Sequence, residues 1–349
     1  MLNSAAAFPD SQMADVPVLK RDMDFKTKSY LTLTRQRSGI LGAEMYVLPQ
    51  GLEAYGRAIH NPAYYPAEAD KDNWQACARE IIKYVPKGTP TMEYGPGDYE
   101  TTQKTGKVVK ALNSARYVGV DLSKSSLNQA LRAIIAIKSD IEAVGLEHDF
   151  WSEDFPISDK PTLAFIAGGS IGNFEVPILK SPPHRKLTDV LSTLVDRTNG
   201  GWLLVSADML QSDRSPQFYE NAYAGPEHAV FNLSVFHRMR QELGINIDPD
   251  GFDYKPEFNP ASGAVQHMAY ANKPQIIDFN GTKIDVKKGD AFHLQNSFRF
   301  TESFFNQCVA DAGLVAEKVW KHPVATMSLH LLRKNNTIIP LKKRPYKNF

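Results

Sequence analysis

A chain of 349 residues exceeds the usual size of one compact domain, so two lobes are expected. Hydrophobic residues at 42% and charged residues at 23% match ordinary globular usage and exclude wholesale disorder. Forty Lys and Arg against 39 Asp and Glu leave a net charge of +1, which argues against nucleic acid or an anionic membrane as partner and for a small-molecule ligand.

In chain order, residues 1–25 mix Ala, Ser, Pro and Asp without periodicity and read as a mobile arm. They contain no basic segment followed by a long apolar one, and no apolar run reaches membrane-spanning length, so a cytoplasmic protein is expected. Cys77 and Cys308 are too few for a disulfide framework, and neither has histidines at metal-ligand spacing, so no metal is expected.

From Thr91 strands and helices alternate. The segment around Met92 and Tyr94 runs into GPGDYETT, then a helix near 101–113, then the continuously apolar strand YVGVDLS. Ser123 is placed to cap a helix in which Leu127, Leu131, Ile134 and Ile135 recur at helical spacing. TLAFIAGGS at 162–170 reads as a central strand, and Leu187, Val190, Leu191, Leu194 and Val195 form a stripe that should pack on a sheet. Asn199-Gly200-Gly201 breaks that helix before the strand WLLVSADML. The expectation is an α/β, doubly wound, Rossmann-like domain over 70–209. After 210 come helices around 215–243, then AVQHMAYA, KIDVKKG and AFHLQNSFRF, which suggest antiparallel strands. Residues 26–69 and 210–349 are therefore assigned to a second, α+β, substrate-binding domain.

Three strand ends carry groups suited to adenosine. Gly95 and Gly97 follow the first strand, where glycine permits a tight turn and close ligand approach, although a Gly-Pro-Gly turn alone is structural as often as functional. Asp121 ends the second strand, where a carboxylate can accept from ribose hydroxyls. Asp149-Phe150 offers an acceptor for an exocyclic amine beside an aromatic face. The pyrophosphate-cradling glycine pattern is incomplete, which favours S-adenosylmethionine over a nicotinamide dinucleotide.

The run IAGGSIGNF at 166–174 is similar to the signature of the ergothioneine-pathway histidine Nα-methyltransferases and of related fungal enzymes acting on dimethylallyltryptophan. NPAYYP at 61–66, MEYGPGDYETT at 92–102 and NSFRFTESFFNQCVADAGL at 296–314 match in family order, so the resemblance spans about Tyr46 to the end.

That resemblance implies an S-adenosylmethionine-dependent methyltransferase acting on the α-amine of a free amino acid. It implies cofactor contacts at Gly95, Gly97, Asp121, Asp149 and Phe150, and it puts Thr101 where the family has a cofactor-holding lysine, with Lys104 just beyond. It implies that Tyr64, Asn173 and Tyr219 hold the amino-acid head in the catalytic centre, with Tyr223 as a rival to Tyr219 because the segment 219–232 carries an insertion. Tyr46, Met268, Gln295 and Ser297 complete the implied substrate pocket. Gln295 stands where the family has a glutamate that accepts from the substrate imidazole. Losing the charge removes a strong hydrogen bond, which argues against histidine as substrate. The alternatives are a side-chain or other small-amine N-methyltransferase and a non-catalytic cofactor sensor, which would need no amino-acid clamp. The oligomeric state and the identity of any general base stay open.

Overall fold

The computed structural model describes residues 24–148, 150, 155–173 and 184–335. Of the arm expected over 1–25, only the last two residues fall within these. There Asp24 accepts from Thr27 N and caps a helix that already begins at Phe25. Asp149 lies outside the described residues.

In chain order the elements are α1 (Phe25–Leu33), α2 (Pro49–Ala58), α3 (Tyr65–Glu80), β1 (Thr91–Tyr94), α4 (Tyr99–Ala111), β2 (Arg116–Asp121), α5 (Lys124–Ile137), β3 (Glu142–Glu147) and β4 (Leu163–Ile166). They continue with α6 (His184–Asp196), β5 (Trp202–Asp208), α7 (Pro216–Asn221), α8 (Pro226–Leu243), β6 (Phe252–Asn259), β7 (Ala264–Ala271) and β8 (Gln275–Phe279). β9 (Thr282–Val286), β10 (Ala291–Phe298), α9 (Glu302–Asp311), β11 (Leu314–Lys321) and β12 (Met327–Lys334) complete the order.

The main sheet runs β11-β12-β5-β4-β1-β2-β3, with β1 to β5 mutually parallel and β12 antiparallel to both neighbours. Both faces are covered, which is why β1 and β4 are buried along their whole length. On one face Leu187, Val190, Leu191, Leu194 and Val195 of α6 pack with Phe305 and Cys308 of α9 on Met92, Val118 and Leu203. On the other, Trp74 of α3, Val108 of α4 and Ile134 of α5 meet Tyr117, Phe165 and Leu204. This is the doubly wound, Rossmann-like arrangement expected from the alternating pattern. One boundary is corrected. β11 and β12, placed with the second lobe by a division at 210, complete the first sheet, because an antiparallel return far along the chain leaves no local trace.

The second lobe contains the antiparallel sheet β10-β7-β6 and the hairpin β8-β9. Phe231, Val235, Phe236 and Met239 of α8 form its core with Phe252, Ala269, Phe292 and Leu294. No helix among the described residues is long and apolar enough to cross a membrane.

Chain direction over the main sheet reverses between β1 and β4, and open α/β sheets hold ligands in the crevice beyond the carboxyl ends at such a point. One core residue below this crevice titrates. Glu93 on β1 is fully buried, accepting from Thr105 Oγ1 at 3.0 Å and Tyr117 OH at 2.7 Å. Burial lifts its carboxyl to about 7, the two hydrogen bonds opposing the rise. A carboxyl raised on folding is fully compatible with the native state below its ordinary value, and that stability is lost as pH rises through 7, by about 3 kcal/mol. Glu93→Gln is therefore expected to match the wild type at pH 5 and exceed it in urea stability at pH 8. An equal difference at both pH values would count against a titrating Glu93.

Candidate functional site

The loop after β1 turns through Gly95 and Gly97 at φ of 63° and 73°, a region that disfavours side chains. A Cβ on Gly95 would meet nothing within 4 Å, so the loop leaves open space beside the backbone. Thr101 is used locally: its N–H donates to Asp98 Oδ1 at 2.8 Å, capping α4. Lys104, one turn further on, places its ammonium 2.6 Å from buried Asp70, which also accepts from Gly168 N at 3.1 Å. Asp121 ends β2 with its carboxyl raised by burial and its Oδ1 accepting from Ser123 N at 2.8 Å. A carboxylate accepts up to about four hydrogen bonds, so capacity remains for ribose hydroxyls. The Phe150 ring packs 5.4 Å from Tyr94 at the end of β1.

The loop after β4 carries the signature motif. Gly172 comes so close to β10 that a Cβ there would lie 2.6 Å from Phe298 O. That approach brings Asn173 against Ser297, whose hydroxyl donates to Asn173 Oδ1 at 3.3 Å. A cavity opens here, lined by Tyr46, Tyr64, Asn173, Gln295 and Ser297 of the expected pocket. The YYP motif divides its two rings: Tyr64 lines the cavity, and Tyr65 OH donates to Asp208 Oδ2 at 2.7 Å.

Two expected residues stand elsewhere. Tyr219 is buried outside the lining, stacked at 4.7 Å on Phe258 and hydrogen-bonded to the Gln211 backbone. Its rival Tyr223 lines the cavity, packed 5.4 Å from Tyr64 and accepting from Arg299 Nη2 at 3.0 Å. Met268 also misses the lining. The register irregularity between His293 and Gln295 pairs Gln295 with His267, and alternation along β7 turns residue 268 to the other face.

Residues not singled out in the sequence complete the site. His267, Tyr55, His228 and Asn232 line it, as do Arg299 and Asp208, which pair at 3.1 Å. Strand parity would have selected His267 had the register been known, and helical spacing puts His228, Phe231 and Asn232 on one face of α8. No local signal marks Arg299 or Asp208.

The polar groups around Asn173 have a fixed direction. Burial pushes the His267 imidazole well below its ordinary range, so it is neutral and bears one N–H. Its Nε2 lies 3.1 Å from Ser297 Oγ and its Nδ1 2.7 Å from Tyr254 OH. Because the serine's only proton goes to Asn173 Oδ1, His267 must donate from Nε2, and Tyr254 must donate to Nδ1. Asn173 is thus held with its NH2 as the group offered to a ligand.

Residues 32–334 match the model of a family described as histidine-specific methyltransferase, SAM-dependent. The chain belongs to that family. S-adenosylmethionine is accordingly its cofactor, and the open glycine loop with the half-buried carboxylate of Asp121 fits an adenosyl group. This methyltransferase is 30% identical over 259 residues to the uncharacterized protein y4iF of Sinorhizobium fredii, covering 72% of this chain and 82% of that one. It is 22% identical to the N-methyltransferase fsqC of Aspergillus fumigatus, over 78% of this chain and 74% of that protein. It is also 22% identical to the L-tryptophan methyltransferase trpM of Psilocybe serbica, over 82% and 86% of the two chains.

Proposed function

We propose that this methyltransferase methylates the α-amine of a free amino acid other than histidine. The observation that carries the reading is the meeting of Tyr64, Tyr223 and Asn173 in one cavity beyond the carboxyl ends of β4 and β5. Asn173 Nδ2 suits the substrate carboxylate, and the remaining Oδ1 lone pair can accept an amine N–H. Burial pushes the Tyr64 phenol well up and the Tyr55 phenol to about 12, so both keep their protons and orient the head group as donors. The cofactor supplies the electrophilic methyl group. The chain's own residues position the amine, which is what a transfer with a built-in leaving group requires. The names of the fungal relatives, an N-methyltransferase and an L-tryptophan methyltransferase, point the same way.

Histidine is disfavoured at the far end of the cavity. Gln295 Nε2 donates to Asn232 Oδ1 at 2.7 Å, and the Ser297 proton is committed to Asn173. Gln295, tied to Asn232 through one amide proton, brings no carboxylate to an imidazole N–H, and the Ser297 hydroxyl has no proton left for the other ring nitrogen. Gln295→Glu sets a carboxylate against Asn232, whose amide must turn over to donate. The variant is expected to gain in kcat/KM for histidine and to lose on the preferred substrate. If the wild type turns over histidine better than every other amino acid tested, the exclusion of histidine is wrong, while the amino-acid reading survives.

A further inference from the structure

The amino-acid reading leaves one buried polar group of the cavity without a task. His228 opens the first turn of α8, is 2% exposed and lines the cavity, yet neither ring nitrogen has a hydrogen-bond partner. Its ring lies 5.3 Å from Tyr64 and 5.2 Å from Tyr223. A buried polar group without a partner is unfavourable, and native proteins rarely keep one without use for it. Burial pushes this imidazole down to about 4, so at neutral pH one nitrogen bears a proton and the other presents a lone pair.

The surroundings limit what can meet that lone pair. Tyr46, Tyr55 and Phe231 form an edge-to-face aromatic wall, with centroids 5.2 Å apart for Tyr46–Tyr55 and 4.8 Å for Tyr46–Phe231. The charged pair in the lining, Asp208 and Arg299, is neutralised internally and tied to Tyr65, Thr326 and Tyr223. The amide proton of Gln295 that meets Asn232 is committed, whereas its Oε1 lies at the wall beside Gly42. The side chain therefore meets uncharged polar groups in an aromatic box, the unpartnered His228 nitrogens among them.

Resting on the amino-acid reading, we infer that His228 accepts a hydrogen bond from the substrate's side chain, and that the substrate is an aromatic amino acid whose ring carries a single N–H or O–H donor, an indole or a phenol. His228 is then the residue that distinguishes such a ring from its apolar isostere.

The test is calorimetric binding of matched probes to the protein saturated with S-adenosylhomocysteine. Tryptophan is compared with 3-benzothienylalanine, and tyrosine with phenylalanine, on wild type, His228→Phe and His228→Asn. The wild type should bind the donor-bearing member of at least one pair about tenfold or more tighter. His228→Phe should reduce that preference to within about threefold, and His228→Asn, which keeps an acceptor, should retain part of it. Equal binding of both members of each pair by the wild type, or a preference that survives in the folded variants, overturns the role of His228 alone. Failure of every amino acid to bind, with the cofactor site intact, overturns the amino-acid reading and this inference with it.

Discussion

Asn173→Ala should lower kcat/KM for the amino-acid substrate by about 100-fold or more, while S-adenosylhomocysteine affinity stays within about twofold. The size follows from what is removed. The alanine deletes a donor to the carboxylate and an acceptor for the amine, and a head group free to rotate no longer presents its lone pair in line with the methyl. The Ser297 hydroxyl also loses its acceptor, so the chain from Tyr254 through His267 no longer has a fixed direction. Equal loss of both ligands would instead make Asn173 a structural residue of the loop after β4. Steady-state kinetics beside calorimetry separates the two outcomes.

Asp121→Ala is expected to weaken S-adenosylhomocysteine binding by about 1–3 kcal/mol, the usual effect of removing a hydrogen-bonding partner of this kind. The same carboxylate accepts from Ser123 N, so the alanine also loosens the turn into α5. Asp121→Asn keeps one side-chain oxygen for that turn but exchanges the charge and the second acceptor oxygen for an amide donor, so its affinity should fall between those of the wild type and the alanine variant. A folded Asp121→Ala protein with unchanged affinity would remove Asp121 from the cofactor site.

The first lobe was legible because its signals are local. A continuous apolar run such as YVGVD can bury both faces, the 187–195 stripe shows the face that packs on the sheet, and Gly95 and Gly97 mark a turn only glycine makes readily. What escaped depends on pairing across long sequence distances. β12 joins β5 more than a hundred residues away, and nothing in either segment says so. The choice of Tyr219 over Tyr223 failed on spacing. α7 ends at Asn221, and Tyr223 beyond it reaches the cavity while Tyr219 stacks on β6. Met268 was misplaced because the irregularity before Gln295 is invisible in an otherwise alternating strand. Gln295 was identified as a departure in the sequence, but its commitment to Asn232 on α8 required the packed lobe.

The central claim is amino-acid N-methylation, and one measurement addresses it directly. The purified full chain is incubated with S-adenosylmethionine and a pool of free proteinogenic and common non-proteinogenic amino acids, and the products are resolved by fragmentation mass spectrometry. The expected result is a gain of one, two or three methyl groups on the α-nitrogen of an amino acid other than histidine, lost in Asn173→Ala. Methylation of a side chain alone, or of no amino acid by a protein that binds the cofactor, would contradict it.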